Sequence, residues 1–319
     1  LVAKNIFRLL KIVFSAFLIG FLLYRIGIGR IAEHLAGADP LWLVAAVVVF
    51  LLSHFAGSFQ WFLLLQNHNV KIRWAKVLSF YFVGLFLNNF LLSNLGGDIF
   101  RMADIKRYSD DLSGAVSTVF LDRLSGFFLL STLAVLLSPW IIIRSGFNSE
   151  LTVLIVILIF LWTVLLFTLF SKRFARPFAF IVKKIMPESL SLKAKEIYQN
   201  IYTFGRQGKI VGQVILLSLV IQSLRILTHY VLARSLGVNV SPAAFFIIVP
   251  VIAIAASLPV SFGGIGIREQ TGIILFALVG ISEVKAFSIE FMAYLIAIIS
   301  SVPGGIIFIT RKGVNKGNN

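Results

Sequence analysis

Apolar stretches long enough to cross a bilayer recur along this chain, and they leave few ways to fold it. In hydrocarbon every backbone N–H and C=O must be bonded internally, so a spanning segment is a helix or part of a closed barrel. A spanning helix needs about 20 apolar residues, whereas a barrel strand needs about 10. Residues 9–24, 41–65, 113–138, 150–170, 211–234 and 287–309 fit the helix. The mean hydropathy is +0.96 and charged residues make up 13%, about half the share in soluble proteins. The sequence therefore predicts an all-α polytopic membrane protein forming a single transmembrane domain over 1–319. Lys4, Arg8 and Lys11 precede a first apolar run with no small-residue cleavage pattern, which reads as a retained span.

Charge sets the topology. Residues 171–210 carry nine Lys and Arg (Lys172, Arg173, Arg176, Lys183, Lys184, Lys193, Lys195, Arg206 and Lys209) against Glu188 and Glu196. Basic loops stay in the cytoplasm, which accounts for a net charge of +16 without invoking nucleic acid. The basic N-terminus, the 66–76 loop (Lys71, Arg73, Lys76) and the tail (Arg311, Lys312, Lys316) belong on the same side, whereas 139–149 and 235–242 suit the outside. These assignments agree only if 77–111 enters and leaves from the cytoplasm and 243–286 from outside. The expected architecture is about six full spans plus two re-entrant helical hairpins in an inverted repeat. The first half is 1–170 and the second 211–319. The linker 171–210 reads as a helix on the membrane surface, with Phe174, Phe178, Ile181 and Ile185 on its apolar side.

Each hairpin carries the same unit, Gly-Gly-x-x-x-Arg, as Gly96-Gly97…Arg101 and Gly263-Gly264…Arg268. Glycines let backbone N–H groups converge on an anion, and a helix starting there adds positive potential. An Arg four residues on lies over the same face, and its fork suits phosphate or carboxylate. Two units facing each other would form a phosphate-sized site near mid-membrane. The plainer reading is close helix packing through glycine with Arg reaching to the interface. Asn88, Asn89, Ser93 and Asn94 interrupt the first hairpin, and Pro259, Ser261, Gly263, Gly264 and Gly266 the second, so helix breaks are expected at both.

Other ionisable residues fall inside predicted spans: Asp122-Arg123, and Arg225 with His229 one turn on. Such residues mark a pathway or a buried pair, here Asp122 with Arg123 or Arg225. Glu269 and Glu290 are counter-ions or, with Asp122 and His229, proton carriers. Arg101, Arg123, Arg225 and Arg268 outnumber Asp98, Asp122 and Glu269, which implies an anionic ligand. Trp42, Trp61, Trp74 and Trp140 read as interface anchors. Cysteine is absent and the four histidines have no ligand spacing, so no metal or cofactor is expected. Asp110-Asp111, the adjacent acidic pair, equally suits a helix cap.

The stretches Asn94-Leu-Gly-Gly-Asp-Ile-Phe-Arg101, Phe120-Leu-Asp-Arg-Leu-Ser-Gly126 and Leu258-Pro-Val-Ser-Phe-Gly-Gly-Ile-Gly-Ile-Arg-Glu269 resemble the lysylphosphatidylglycerol synthase transmembrane-region family. These are also described as flippase-like membrane proteins. The resemblance implies a multi-pass protein of the bacterial inner membrane, both termini cytoplasmic, that moves lipids between leaflets. It marks Gly97, Arg101, Asp122, Arg123, Gly264, Arg268 and Glu269 as motif positions. The chain ends eight residues after Arg311, so the aminoacyl-transferase domain of the synthase members is not expected.

The leading expectation is a flippase-like transporter, not an enzyme, for an anionic phospholipid or polyprenyl-phosphate glycolipid. Gly96, Gly97, Arg101, Asp122, Arg123, Arg225, Gly263, Gly264, Arg268 and Glu269 would meet the headgroup. One rival is a polyprenyl-phosphate-dependent transferase using Glu33 or Asp39 in the first outer loop. Another is a non-catalytic membrane partner of a lipid-modifying enzyme.

Overall fold

The computed structural model describes residues 13, 17, 19–90, 96–106, 108, 112–145, 160, 163, 164, 167, 188–257, 261 and 263–310. They form α1 (Ile28–Ala36), α2 (Pro40–Asn67), α3 (Trp74–Phe90), α4 (Gly96–Ile105) and α5 (Leu112–Ser145), then α6 (Glu188–Phe204), α7 (Gly208–Ser235), α8 (Pro242–Ser257), α9 (Ile267–Ala277) and α10 (Glu283–Thr310). Among the described residues four helices are long and apolar enough to cross a membrane: α2, residues Val116–Leu136 of α5, α7 and α10. They match four of the six expected spans. Of the other two, half of 9–24 and most of 150–170 lie outside the described residues.

The long helices turn apolar side chains outward and polar ones inward. On α2, Leu41, Val44, Val48, Leu52, Phe55 and Phe59 are exposed at helical spacing, while Ser53, His54, Ser58 and Gln60 are buried. On α10, Leu295, Ile299, Val302, Ile306 and Ile309 form the outer stripe, and Ser288, Glu290, Ser300 and Ser301 face in. Water-soluble packing would reverse this pattern; lipid favours it. Helix ends follow local chemistry. Asp39 Oδ1 accepts the Leu41 N–H at 2.8 Å and Pro40 fills the first turn of α2.

Antiparallel contacts orient the bundle. The Asp39 N–H donates to the Ser235 carbonyl at 2.9 Å and Ser218 Oγ to Gln60 Oε1 at 2.8 Å, so α2 and α7 run oppositely. Phe82 lies against Gly304, and Asn89 Nδ2 donates to the Ala297 carbonyl at 3.0 Å, so α3 and α10 do too. The 66–76 loop, the start of α7 and the end of α10 thereby share one end of the bundle, the basic end.

Helices α3 and α4 have 17 and 10 residues, spanning about 25 and 15 Å at 1.5 Å per residue. Close approach of Gly97 to the Gly84 carbonyl and a Gly97 N–H bond to Asn88 Oδ1 at 2.8 Å tie α4 against α3. Ile105 then packs in one apolar cluster with Val70, Ile72 and Val77, and the Tyr108 and Phe80 rings lie 5.9 Å apart. The chain is back at the basic end where α3 began. Helices α8 and α9, with 16 and 11 residues, do likewise at the opposite end, where Phe245 and Phe276 lie 5.3 Å apart. The expected hairpins 77–111 and 243–286 thus correspond to two short-helix pairs.

Three expectations need correction. Helices do end and restart at both expected places, at Phe90 and Gly96 and at Ser257 and Ile267, but Asn88 and Asn89 lie within α3 and tie it to α4 and α10 instead of breaking it; Ser93, Asn94 and Pro259 are outside the described residues. Trp61 is fully buried, and its Nε1 donates to Thr118 Oγ1 at 3.2 Å, so it is no interface anchor. Residues 188–204 are helical, but Ile201 and Phe204 dock among Leu64, Leu121 and Val214 instead of lying on a membrane surface. Phe174, Phe178, Ile181 and Ile185 fall outside the described residues.

Glycine sets the α3–α10 distance. A Cβ on Gly304 would overlap the Phe82 carbonyl oxygen, whereas one on Gly212 meets nothing within 4 Å. Gly304→Ala is expected to cost about 1–3 kcal/mol and lower the melting temperature of the detergent-solubilised protein. Gly212→Ala, in a helix interior, should gain about 0.5–1 kcal/mol. Equal melting temperatures for the two variants would contradict this packing.

Candidate functional site

The membrane-embedded charges gather in two clusters at different depths. The first lies toward the basic end, where α2, α4, α5 and α7 meet. Asp98, next after the glycine pair, is at the N-terminus of α4, and Arg101 follows one turn on. Arg101 Nη2 donates to Asp122 Oδ2 at 2.8 Å and its Nη1 lies 3.4 Å from Asp98 Oδ1. Arg123 donates to both oxygens of Asp98, from Nε at 2.9 Å and Nη2 at 3.1 Å. The pairing is crossed: each arginine reaches the aspartate of the other helix. Gln60 Nε2 donates to Asp122 Oδ1 at 3.0 Å and to Ser125 Oγ at 3.1 Å, and its carbonyl accepts from Ser218.

Above this network the Arg101 guanidinium lies between two rings, 4.0 Å from Trp61 and 4.7 Å from Tyr81. Gly84 makes room for it, because a Cβ there would sit 2.8 Å from Arg101 Cγ. Stacking and paired carboxylates together stabilise a cation taken out of water. Two arginines and two aspartates leave this cluster neutral. The expected pairing of Asp122 with Arg123 or Arg225 is therefore corrected to Asp122 with Arg101, and the expected surplus of positive charge does not arise here.

The second cluster lies toward the opposite end, on α7, α9 and α10. Gly263, Gly264 and Gly266 have φ of 60°, 79° and 86°, a left-handed run that only glycine adopts readily. Gly264 packs so closely on Ala256 that a Cβ there would lie 2.7 Å from the Ala256 carbonyl oxygen, which closes α8 onto the loop. Glu269 caps α9: its Oε2 accepts the Gly266 N–H at 2.6 Å. Arg268 extends over the Tyr294 ring at 6.0 Å. On α7, His229 Nε2 stands 3.5 Å from Glu290 Oε2.

Arg225 connects the two regions. It lies one turn before His229 and within electrostatic range of both His54 on α2 and Tyr81 on α3. Among the described residues neither Arg225 nor Arg268 forms a salt bridge. The structure thus brings Gly97, Arg101, Asp122 and Arg123 together in one place, and Gly264, Arg268, Glu269, His229 and Glu290 in another. The two Gly-Gly-x-x-x-Arg units do not face each other at one depth, and their glycines differ: Gly96 and Gly97 are helical, Gly263 and Gly264 left-handed.

At the end away from the basic loops, Glu33, His34, Asp39 and Arg234 line a cleft of about 370 Å³. One Asp39 oxygen there is already engaged as the α2 cap.

The sequence matches the lysylphosphatidylglycerol synthase transmembrane region over residues 8–305. The chain belongs to that family. It is also similar to a UPF0104 membrane protein of Pyrococcus horikoshii, 25% identical over 331 residues, covering 96% of this chain and 97% of the relative. Within this family member, Gln60, Trp61, Tyr81, Ser218 and Tyr294 surround the motif charges, yet none of them is a site residue that the sequence points to. Gln60 and Ser218 do leave a signal, as polar residues inside runs otherwise suited to lipid.

The first cluster predicts unequal costs for its arginines. The Arg101 side chain is 5% exposed and Arg123 is 44% exposed. Arg101→Met leaves the buried Asp122 without its arginine and is expected to cost about 3–5 kcal/mol. Arg123→Met should cost about 1 kcal/mol or less, because solvent or headgroups screen it and Asp98 keeps Arg101. Thermal unfolding in detergent reads both; a larger loss for Arg123→Met would contradict the assignment.

Proposed function

We propose that this protein is a flippase-like carrier that moves an anionic or glycosylated lipid headgroup between the leaflets of the plasma membrane. The observation that carries this reading is the contrast between two pairs of arginines. Arg101 and Arg123 are each bonded to carboxylates, while Arg225 and Arg268 have none among the described residues. An unpaired guanidinium within the membrane-embedded region calls for an anion, and in a bilayer the abundant anion is lipid phosphate. The guanidinium fork suits two phosphate oxygens. Family membership supports a lipid-facing role in the same way.

In this reading Gly97, Arg101, Asp122 and Arg123 form the framework beside the path, and Arg225 and Arg268 meet the headgroup. Gly263, Gly264 and Glu269 position Arg268 at the start of α9. The two short-helix pairs act as re-entrant hairpins, one open to the cytoplasm and one to the outside. Rocking of the hairpin-bearing halves would expose the site to each leaflet in turn. Both termini then lie in the cytoplasm with the basic loops.

The test is leaflet accessibility of fluorescent phosphatidylglycerol in vesicles containing the purified protein, with a fluorescent polyprenyl-phosphate glycolipid in parallel. Wild-type protein should move at least one of them faster than phosphatidylcholine. Arg225→Gln/Arg268→Gln should slow movement at least about tenfold, as expected when a charge-assisted bond worth about 1.5–3 kcal/mol is lost. Unchanged movement in the double variant would refute the site.

A further inference from the structure

Glu290 sits at the centre of the second cluster with its side chain fully buried. Its ionic contact is His229 Nε2 at 3.5 Å, and neither carboxylate oxygen has a hydrogen bond among the described residues. His229 Nδ1 is 3.0 Å from the Arg225 carbonyl oxygen. A carbonyl only accepts, so Nδ1 carries a hydrogen and Nε2 is the nitrogen left to exchange a proton with Glu290. The pair then has one proton to share, as imidazolium with carboxylate or as imidazole with carboxylic acid. Both forms are neutral overall. Loss of that proton leaves a lone carboxylate away from water, which is strongly unfavourable unless a cation takes its place.

The replacement cation is next door. Glu290 lies over Gly272, where an added Cβ would come 2.7 Å from Glu290 Cγ. Gly272 is one turn beyond Arg268 on the same face of α9, and Tyr294, under the Arg268 guanidinium, is one turn beyond Glu290 on α10. Arg268 and Glu290 thus occupy adjacent turns of the contact between α9 and α10. The other charged groups at the pair are Glu269 on α9, which is held by the Gly266 N–H, and Arg225 on the histidine's own helix. His54 of α2 lies beyond Arg225, Tyr81 of α3 lies toward the first cluster, and α8 has no titratable residue. On α1, Glu33 and His34 face the cleft instead.

We propose that His229 and Glu290 bind one transported proton, and that this proton travels with each lipid anion held at Arg268. With the proton in place the pair is neutral and Arg268 is available to phosphate. When the proton leaves Nε2 or the carboxyl for water on the far side, Glu290 becomes an unpaired anion. It then draws Arg268 away from the phosphate and the lipid is released. One proton and one phosphodiester charge cross together, so the step is electroneutral. This inference rests on the carrier reading above.

The experiment places the full-length protein in vesicles with fluorescent phosphatidylglycerol, a pH gradient and the membrane potential clamped at zero. One-to-one coupling should drive the lipid to about a tenfold excess in the leaflet on the alkaline side per pH unit, since one unit is a tenfold proton ratio. Glu290→Gln, which cannot ionise, should still move the lipid but leave it evenly distributed. In weakly buffered detergent, short-chain phosphatidylglycerol should cause proton uptake by wild type and none by Glu290→Gln. An even distribution with wild type, together with no proton uptake on binding, would overturn the coupling and leave the carrier reading standing. Neither binding nor movement of any lipid by wild type would overturn both. If Glu290→Gln fails to fold, the wild-type gradient and the wild-type proton uptake still decide the matter.

Discussion

The crossed ion pairs of Arg101 with Asp122 and Arg123 with Asp98 are the interaction on which the rest of the architecture depends. Charges are costly in hydrocarbon, and a polar side chain without a partner there costs several times what it would in water. Each aspartate is therefore fixed to the arginine of the neighbouring helix, and Gln60 and Ser218 extend the network to α2 and α7. Four helices whose outer faces are largely apolar are thereby held in one register. Trp61 and Tyr81 cover the Arg101 guanidinium, and Gly84 and Gly97 bring α3 and α4 close enough for it to fit. Arg101 is the member whose loss would cost most, because it alone bonds both aspartates while itself buried.

Much of this was legible in the sequence because lipid imposes simple rules. Apolar length located α2, α5, α7 and α10, and loop charge grouped the ends that the helix pairings place together. Asn88 shows where reading fails. A polar residue in an apolar run near Gly-Gly looks like a helix break, but here it stays in α3 and accepts the Gly97 N–H. The rule behind the expectation considered only the helix's own hydrogen bonds. In lipid a side chain that bonds a neighbouring helix is equally satisfied, and sequence order does not name that neighbour. Trp61 deceived in the same way: tryptophan favours interfaces, but a buried partner such as Thr118 for its N–H removes the reason to stay there.

The site was legible in its residues but not in its grouping. Asp122-Arg123 are adjacent in sequence, and adjacency suggests a pair; on a helix, successive side chains point about 100° apart, so the true partners lie across helices. The repeat of Gly-Gly-x-x-x-Arg was equally suggestive and chemically incomplete. At the first copy the residue after the glycines is Asp98, which contacts both arginines and, together with Asp122, neutralises them. At the second it is Ile265, and the acid comes later as Glu269, whose carboxylate turns back to cap its own helix. The same spacing therefore yields a neutral joint in one half and an uncompensated arginine in the other.

That difference divides the labour between the halves. The first hairpin is held by a backbone-to-asparagine bond and glycine-to-backbone packing between α3 and α4, while two ionic contacts tie α4 to α5. The second is held at Gly264 by a left-handed loop and at Gly272 by the side chain of Glu290, with one 3.5 Å contact between His229 and Glu290 behind it. In the proposed coupling, loss of the shared proton or arrival of an anion would favour a second arrangement of α9. On that proposal the first half would serve as the fixed frame and α9 as the moving part. The unpaired arginines follow from the same logic: a guanidinium already committed to a carboxylate has nothing to offer a passing phosphate, and one left uncommitted is tolerable only where a ligand or a titrating acid can neutralise it.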